Sequence, residues 1–391
     1  MLAKGQGCRV YDADNVAYVD LLAGNGSNLL GYGNQYVMDA VRRASSLGLG
    51  SGFHITAEVE LVELLGELVP GMAPWVVTSS ELAAWELALR WCRRDTGRRL
   101  VVLFDGNRRG SVECFQVSAS APLGASQALV GGVADEVARL VRVAPSGNFD
   151  AFEALLGEVG VDTAAVVLDP IAAQFGVVPP DAEYLHRVQD LIRKVGARFV
   201  LDETITGFRL GRGGAAEAFA LEPDVAVYGG ALGGGISTVS AVAWASSRRV
   251  TVGDELPPPP QPVGVLSASA TLSVLRNDAV HQRLDERGAQ LHTGIESLAE
   301  RFGRPLRINR IGSILAAYFS RQPVTDGNSF ARVDQDAWSR FGRYSREAGL
   351  LLPSRSPVAS FLTHAHGVKD VEQALAAMEQ ALRRMQKDDE V

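Results

Sequence analysis

Glu81, Arg108, Arg109, Asp169 and Asp202 are the ionisable residues of this chain placed where chemistry is expected. Each stands just past a short apolar stretch, with Ser79, Ser80, Thr204 and Tyr228 close by in sequence. In a mainly parallel sheet, the residues beyond the carboxyl ends of the strands line the ligand crevice. Carboxylates beside arginines in such a crevice can be tuned as acid or base. The arginines suit a carboxylate or another anionic group. Acid/base chemistry is therefore expected, with Glu81, Arg109, Asp169 and Asp202 as candidate catalytic groups. Asp202 reads equally well as a structural carboxylate held by neighbouring N–H groups.

Other chemistries find less support. Lys4, Lys194, Lys369 and Lys387 are the only four lysines. Cys8, Cys92 and Cys114 are too far apart for metal spacing or a disulfide framework. No nucleophile elbow is present. His364 and His366 would face opposite sides of a strand, which argues against a shared metal, and no metal site is expected. His54 reads as a lone structural or surface histidine. Gly24-Asn25-Gly26-Ser27 starts like a dinucleotide-binding loop, but Leu29 stands where its third glycine belongs.

The elements that must position these residues follow from pattern. Arg9 to Asp12 and Ala17 to Leu21 read as a hairpin. Tyr36 to Ser46, Ala57 to Leu68, Glu81 to Arg94, Phe149 to Val159 and Ala182 to Val195 carry apolar residues at helical spacing. Strands are expected at Val76 to Thr78, Leu100 to Phe104, Ala164 to Leu168, Arg198 to Leu201, Val225 to Tyr228 and Ser240 to Ala245. Short apolar strands alternating with helices indicate a mainly parallel sheet covered on both faces. Pro257 to Pro260 with Pro262 reads as a stiff loop. A smaller α+β unit is expected from about Leu306, ending in an amphipathic helix from Val368 to about Arg384.

The chain has 391 residues, 47% of them hydrophobic and 21% charged, enough for a large core. A net charge of −7 argues against a general nucleic-acid binder. No apolar run reaches the roughly 18 residues of a membrane span. Met1 to Gly7 has no apolar h-region of a signal peptide, so a cytoplasmic location is expected.

Val200-Leu201-Asp202-Glu203-Thr204-Ile205-Thr206-Gly207-Phe208-Arg209 resembles the central motif of class III aminotransferases. These are fold-type I enzymes that use pyridoxal 5′-phosphate (PLP). The resemblance continues in Asp169-Pro170-Ile171-Ala172, Gly176-Val177-Val178-Pro179-Pro180, Pro223-Asp224 and Gly233-Gly234-Gly235. Leu30-Gly31-Tyr32-Gly33-Asn34, Gly349-Leu350-Leu351-Leu352-Pro353 and Thr363-His364-Ala365-His366 fit it too. It covers nearly the whole chain in order, and the nearest branch is the glutamate-1-semialdehyde aminomutase group. It implies an α/β fold of fold-type I, with a mainly parallel sheet in a large domain and a smaller α+β domain made of both termini. Residues 1–50 would form the N-terminal part of the small domain and an interface segment. Residues 51–290 would form the large domain and 291–391 the C-terminal small domain. A homodimer with sites at the interface is also implied.

The same resemblance exposes departures. It places Gly230 where the family carries its Schiff-base lysine, and that reaction needs a primary amine. Thr78-Ser79-Ser80-Glu81 stands for the phosphate loop, where a carboxylate would repel phosphate. Arg108 stands for the aromatic over the cofactor ring, Arg109 for the histidine after it, and Thr204 for an apolar ring contact. Val265 replaces a threonine that caps the partner subunit's phosphate, and Asp169 a glutamate. Asp202, which pairs with the pyridine nitrogen in the family, survives with Gln174 and Arg209. The positions Ser79, Ser80, Arg108, Gln174, Thr204, Gly230 and Val265 thus read as a degenerate cofactor site reused as a substrate pocket.

The resulting expectation is a PLP-independent biosynthetic enzyme with no cofactor. It would cyclise, dehydrate, isomerise or condense a small anionic or carboxylate-bearing substrate, with no nucleic-acid or membrane partner. A non-catalytic pseudoenzyme, or partner of an active aminotransferase, is one alternative. A transaminase or aminomutase holding PLP or its amine form (pyridoxamine 5′-phosphate, PMP) non-covalently is the other.

Overall fold

A computed structural model describes residues 1–48, 50, 52–107, 112–120, 125–236, 238–250 and 256–390. The chain opens with strands β1 (Leu2–Gln6), β2 (Arg9–Asp12) and β3 (Ala17–Asp20), then helices α1 (Gln35–Ser46) and α2 (Thr56–Leu68). Next come β4 (Met72–Thr78), α3 (Glu81–Thr96), β5 (Leu100–Phe104), the small hairpin β6 (Val117–Ser120) and β7 (Ala125–Ala128), and α4 (Asp135–Arg139). The alternation continues through β8 (Val141–Ala144), α5 (Phe149–Val159), β9 (Thr163–Leu168), α6 (Ala182–Val195) and β10 (Arg198–Glu203). After α7 (Gly214–Ala218) follow β11 (Val225–Tyr228), β12 (Ser240–Ala245), α8 (Pro262–Leu275) and α9 (Asp278–Phe302). The last part holds β13 (Leu306–Ile311), β14 (Ile314–Phe319), α10 (Gly327–Phe330), α11 (Gln335–Glu347), β15 (Leu350–Leu351), β16 (Ser360–Phe361) and α12 (Val368–Asp389).

The main sheet has seven strands in the order β4-β12-β11-β10-β9-β5-β8. β11 pairs parallel with β10, β10 with β9, β9 with β5 and β5 with β8. β12 runs antiparallel to both of its neighbours. The carboxyl ends of β4, β9, β10 and β11 therefore lie along one edge, beside the amino end of β12. Side chains alternate between the two faces. Val102, Val166, Phe199 and Leu201 pack against α2, α5, α6 and α8, whereas Val101, Val167, Val200 and Val242 pack against α3.

A second core joins α9, α11 and α12 to β13 and β14 through Leu291, Ile308, Phe341 and Leu382. β15 pairs parallel with β3, so the N-terminal hairpin shares a sheet with the C-terminal part. Arg9 ties the two together through a 2.5 Å ion pair with Asp370. Pro262 does not extend a proline loop: it opens α8 at its first turn, where a missing N–H goes unused. Among the described residues no helix is long and apolar enough to cross a membrane.

Candidate active site

Asp202 is the penultimate residue of β10 and is 1% exposed. It shares the α3 face with Val200, while Glu203 turns to the opposite face. Its Oδ1 accepts hydrogen bonds from the N–H of Thr204 at 3.0 Å and its hydroxyl at 2.6 Å. Thr204 is itself buried, so the carboxylate is fixed in one orientation.

Across the edge, Ser80 caps α3 by accepting from the N–H of Ala83 at 3.2 Å. Ser79 is exposed, and its carbonyl accepts from the Thr238 hydroxyl. Glu81 begins the helix and sends its side chain back to the strand ends. A Cβ built on Gly229 would lie 3.3 Å from Oε2 of Glu81, 3.4 Å from Oγ of Ser240 and 3.6 Å from Cβ of Thr204. These contacts put Glu81 and Thr204, and with Thr204 its partner Asp202, on one side of the sheet edge. Ser240 joins them there, and nothing in the sequence marks it.

Gly230 follows at φ +45°, and a Cβ there would lie 2.7 Å from the carbonyl oxygen of Thr204. A side chain at this position meets backbone, which cannot yield as a flexible side chain would. The glycine-rich turn after β3 packs over it, with the Ser27 Cα 3.8 Å from that Cβ position. In this turn Asn28 is 3% exposed, and neither of its amide atoms has a well-formed hydrogen bond. The hydroxyl of its polar neighbour Tyr32 donates instead to Asp20, at 2.7 Å. An amide buried in this state is a candidate ligand contact, which the sequence alone did not single out.

Several sequence expectations need correction. The two oxygens of Asp169 accept from the N–H groups of Ile171 and Ala173, each at 3.1 Å, closing the turn after β9. It lines a cavity of about 690 Å³ beside Phe149 and Tyr184. Tyr228 points to the other face, between Trp75 and Phe208 with ring centroids 5.1 and 5.3 Å away. Val265 is fully buried inside α8, in the core with α1 and α2. Gln174 is half-buried in the loop between β9 and α6. Arg108 and Arg109 lie outside the described residues. His364 and His366 sit in a turn, not on a strand, and among the described residues no group of His, Cys, Asp or Glu could hold a metal ion. Arg209 is structural: its guanidinium donates to the carbonyls of Gly26 at 2.6 Å and Leu362 at 2.8 Å.

A model of the aminotransferase class-III family matches residues 1–382. The glutamate-1-semialdehyde 2,1-aminomutase of Persephonella marina is 31% identical over 397 residues, covering 98% of this chain and 91% of the relative. That of Aquifex aeolicus is 32% identical over 396 residues, covering 98% and 92%. Among solved structures, an omega-transaminase from Sphaerobacter thermophilus superposes with a TM-score of 0.90 at 25% identity, covering 98% of this chain and 90% of that one. A lysine-to-alanine variant of a Pseudomonas aeruginosa glutamate-1-semialdehyde aminomutase, in complex with PMP, superposes at 0.87 with 24% identity, covering 98% and 87%.

These likenesses overturn the expectation of a PLP-independent enzyme without a cofactor. The curated relatives are named as aminomutases, and that points to PLP chemistry. The crevice itself fits that group in part. Asp202 offers a buried, oriented carboxylate, and the 16-residue α3 turns its N-terminus to the crevice, a setting that favours an anion. A covalent link does not fit. Lys194 is at the end of α6, before β10 and at the far edge of the sheet; Lys4 lies on β1, and Lys369 and Lys387 on α12. None of the four is on an element that forms the crevice.

Proposed function

The chain belongs to the class III aminotransferase family and has its fold-type I fold, and from that membership we propose an aminomutase- or transaminase-type enzyme that binds PLP or PMP without a lysine link. The observation that carries this reading is Gly230. It stands where the resemblance puts the family's lysine, and a Cβ there would lie 2.7 Å from the carbonyl oxygen of Thr204, so a side chain would require the backbone to shift. A relative whose lysine was replaced by alanine is known in complex with PMP, which supports reversible binding.

When bound, the cofactor supplies an electron sink and an amino group for exchange with an oxo compound. Asp202, fixed by Thr204, would hold positive charge at the ring nitrogen. The N–H groups opening α3 would meet the phosphate, and the nearby Glu81 carboxylate would weaken that contact by repulsion. Asn28 would orient a substrate from the glycine-rich turn. The resemblance puts Arg108 and Arg109 at this site, where their charge would suit a small carboxylate-bearing amino or oxo compound. The working unit of this proposal is a homodimer with two sites at its interface.

Titration of the purified protein with PLP and with PMP, followed by absorbance and calorimetry, tests the reading. Saturable binding is expected, with no mass adduct after borohydride reduction. Absence of saturable binding by both ligands would sink it, and a reduced adduct on a lysine would refute the reversible mode.

A further inference from the structure

Arg209 carries a charge that its surroundings do not balance. It is buried, and its Nη1 donates to the Ser313 hydroxyl at 3.2 Å and the Leu362 carbonyl at 2.8 Å. Its Nη2 donates to the Gly26 carbonyl at 2.6 Å. All three acceptors are neutral, and the Phe361 ring, its centroid 5.1 Å from the guanidinium carbon, adds only a weak attraction. Nε is buried and has no hydrogen-bond partner among the described residues. Burial lowers Arg209 to about 9, and no acidic group among the described residues raises it again. Arginine is almost never fully buried unless it is paired with an opposite charge. The guanidinium lines a cavity of about 330 Å³ with Leu210, His281, Gln282, Gly312 and Ser313, where the loop after β10, the start of α9 and the turn between β13 and β14 meet. Asp285 also lines it, with its carboxylate committed to Arg310 at 2.6 Å.

We propose that this cavity is a binding site for a small oxyanion of the phosphate type, held by the Arg209 guanidinium as its counter-ion. Nε and Nη2 form the edge of a guanidinium that forks onto an oxyanion. The Nε donor is unused, and Nη2 has a second hydrogen beyond its bond to Gly26. The anion would also fasten a junction. Arg209 joins the glycine-rich turn at Gly26, the β13–β14 turn at Ser313 and the segment after β16 at Leu362, so neutralising it favours the arrangement in which all three meet. The proposal does not rest on the cofactor reading.

The test is calorimetric titration of the full-length protein with inorganic phosphate at constant ionic strength, with thermal melting to check the fold of each variant. Saturable binding by the parent is expected. Gln282 is exposed at the cavity, so Gln282→Glu should fold and should weaken phosphate binding at least about tenfold, by setting a like charge beside the anion. The same charge at the exposed Val161, before β9 and at the other end of the sheet, should leave the affinity unchanged. Arg209→Lys keeps the charge and removes the fork; where it folds, it should weaken binding as much as Gln282→Glu does. Absence of saturable binding by the parent overturns the proposal. An unchanged affinity in Gln282→Glu overturns it too, because the phosphate then sits elsewhere, at the start of α3 for example. Equal weakening by Val161→Glu would reduce the effect to net charge and overturn the site as well.

Discussion

At Gly230 the backbone is held at φ +45°, and the carbonyl oxygen of Thr204 fills the space of a Cβ. A lysine restored there must both adopt a left-handed conformation and displace a strand-end carbonyl. Gly230→Lys should lower stability by about 1–3 kcal/mol, measured by denaturant unfolding, and yield no borohydride-fixed adduct with PLP. A variant as stable as its parent that does form the adduct would show that the position has room. Two other buried groups tie stability to pH. Burial raises the Glu203 carboxyl to about 7, although Thr206 and the N–H groups of Ala215 and Ala216 all donate to it. As pH rises from about 4.5 to 7 the unfolded chain loses this proton and the folded chain keeps it, so this contribution to stability is lost. Burial lowers His366 to about 4, with its Nδ1 accepting from the Thr363 N–H. Its contribution is complete above about 6.5 and is lost as pH falls towards 4, because only the unfolded imidazole takes up the proton. Each is worth on the order of 3 kcal/mol, and the two slopes oppose each other between pH 4.5 and 6.5. The stability difference between the parent and His366→Gln should therefore shift in the parent's favour as pH is raised from 4.5 to 6.5. A pH-independent difference would assign the imidazole a packing role alone.

The elements bring these residues together through their ends. α3 starts at Ser80, whose extended backbone and capping hydroxyl fix the direction in which Glu81 leaves the helix. Ser80→Ala should cost about 1 kcal/mol, read as a lower denaturant midpoint, and Ser80→Asp should keep most of it. Equal stability of the alanine variant would mean that the cap is dispensable. The strand ends were legible in sequence because β4, β9, β10 and β11 are short apolar runs broken by polar residues, and the edge rule selected Thr78, Asp202 and Glu203 from them. Tyr228 was drawn into the pocket by the same rule, yet alternation along β11 sets it opposite Asp202's face, where it stacks on Trp75. Asp169 reads as a crevice carboxylate from its type and position; the two turn N–H groups its oxygens accept from are a property of the folded loop. α8 escaped notice because it is buried on most sides, from Val265 and Leu266 to Ala268 and Leu272, so it has no polar face to give a helical period. Glu81 was legible as a residue out of place in a phosphate loop, but its reach to Gly229 and Ser240 appears only once α3 is set against the sheet.

At the scale of the whole molecule the same helices leave an unsatisfied surface. Tyr36 is 68% exposed, Phe53 66%, Val59 59% and Ile236 46%, all large apolar side chains on or beside elements gathered around α8. Scattered apolar residues are ordinary on a surface, but a group on neighbouring elements marks an interaction site. The glycine-rich turn over Gly230 borders this region, with Gly235 packed against Asn28. A second copy seated here would cover the apolar group and close the crevice from outside, excluding water from Glu81 and strengthening its charge interactions. Dimerisation and ligand binding should then be coupled. Light scattering is expected to give twice the 41.7 kDa chain mass, and Phe53→Glu should shift the protein towards monomer while weakening PMP binding. The crevice residues themselves are untouched by that change, so a folded monomer that still binds PMP at full strength would uncouple the site from the interface. A parent protein that is monomeric at working concentrations would remove the dimer from the proposal outright.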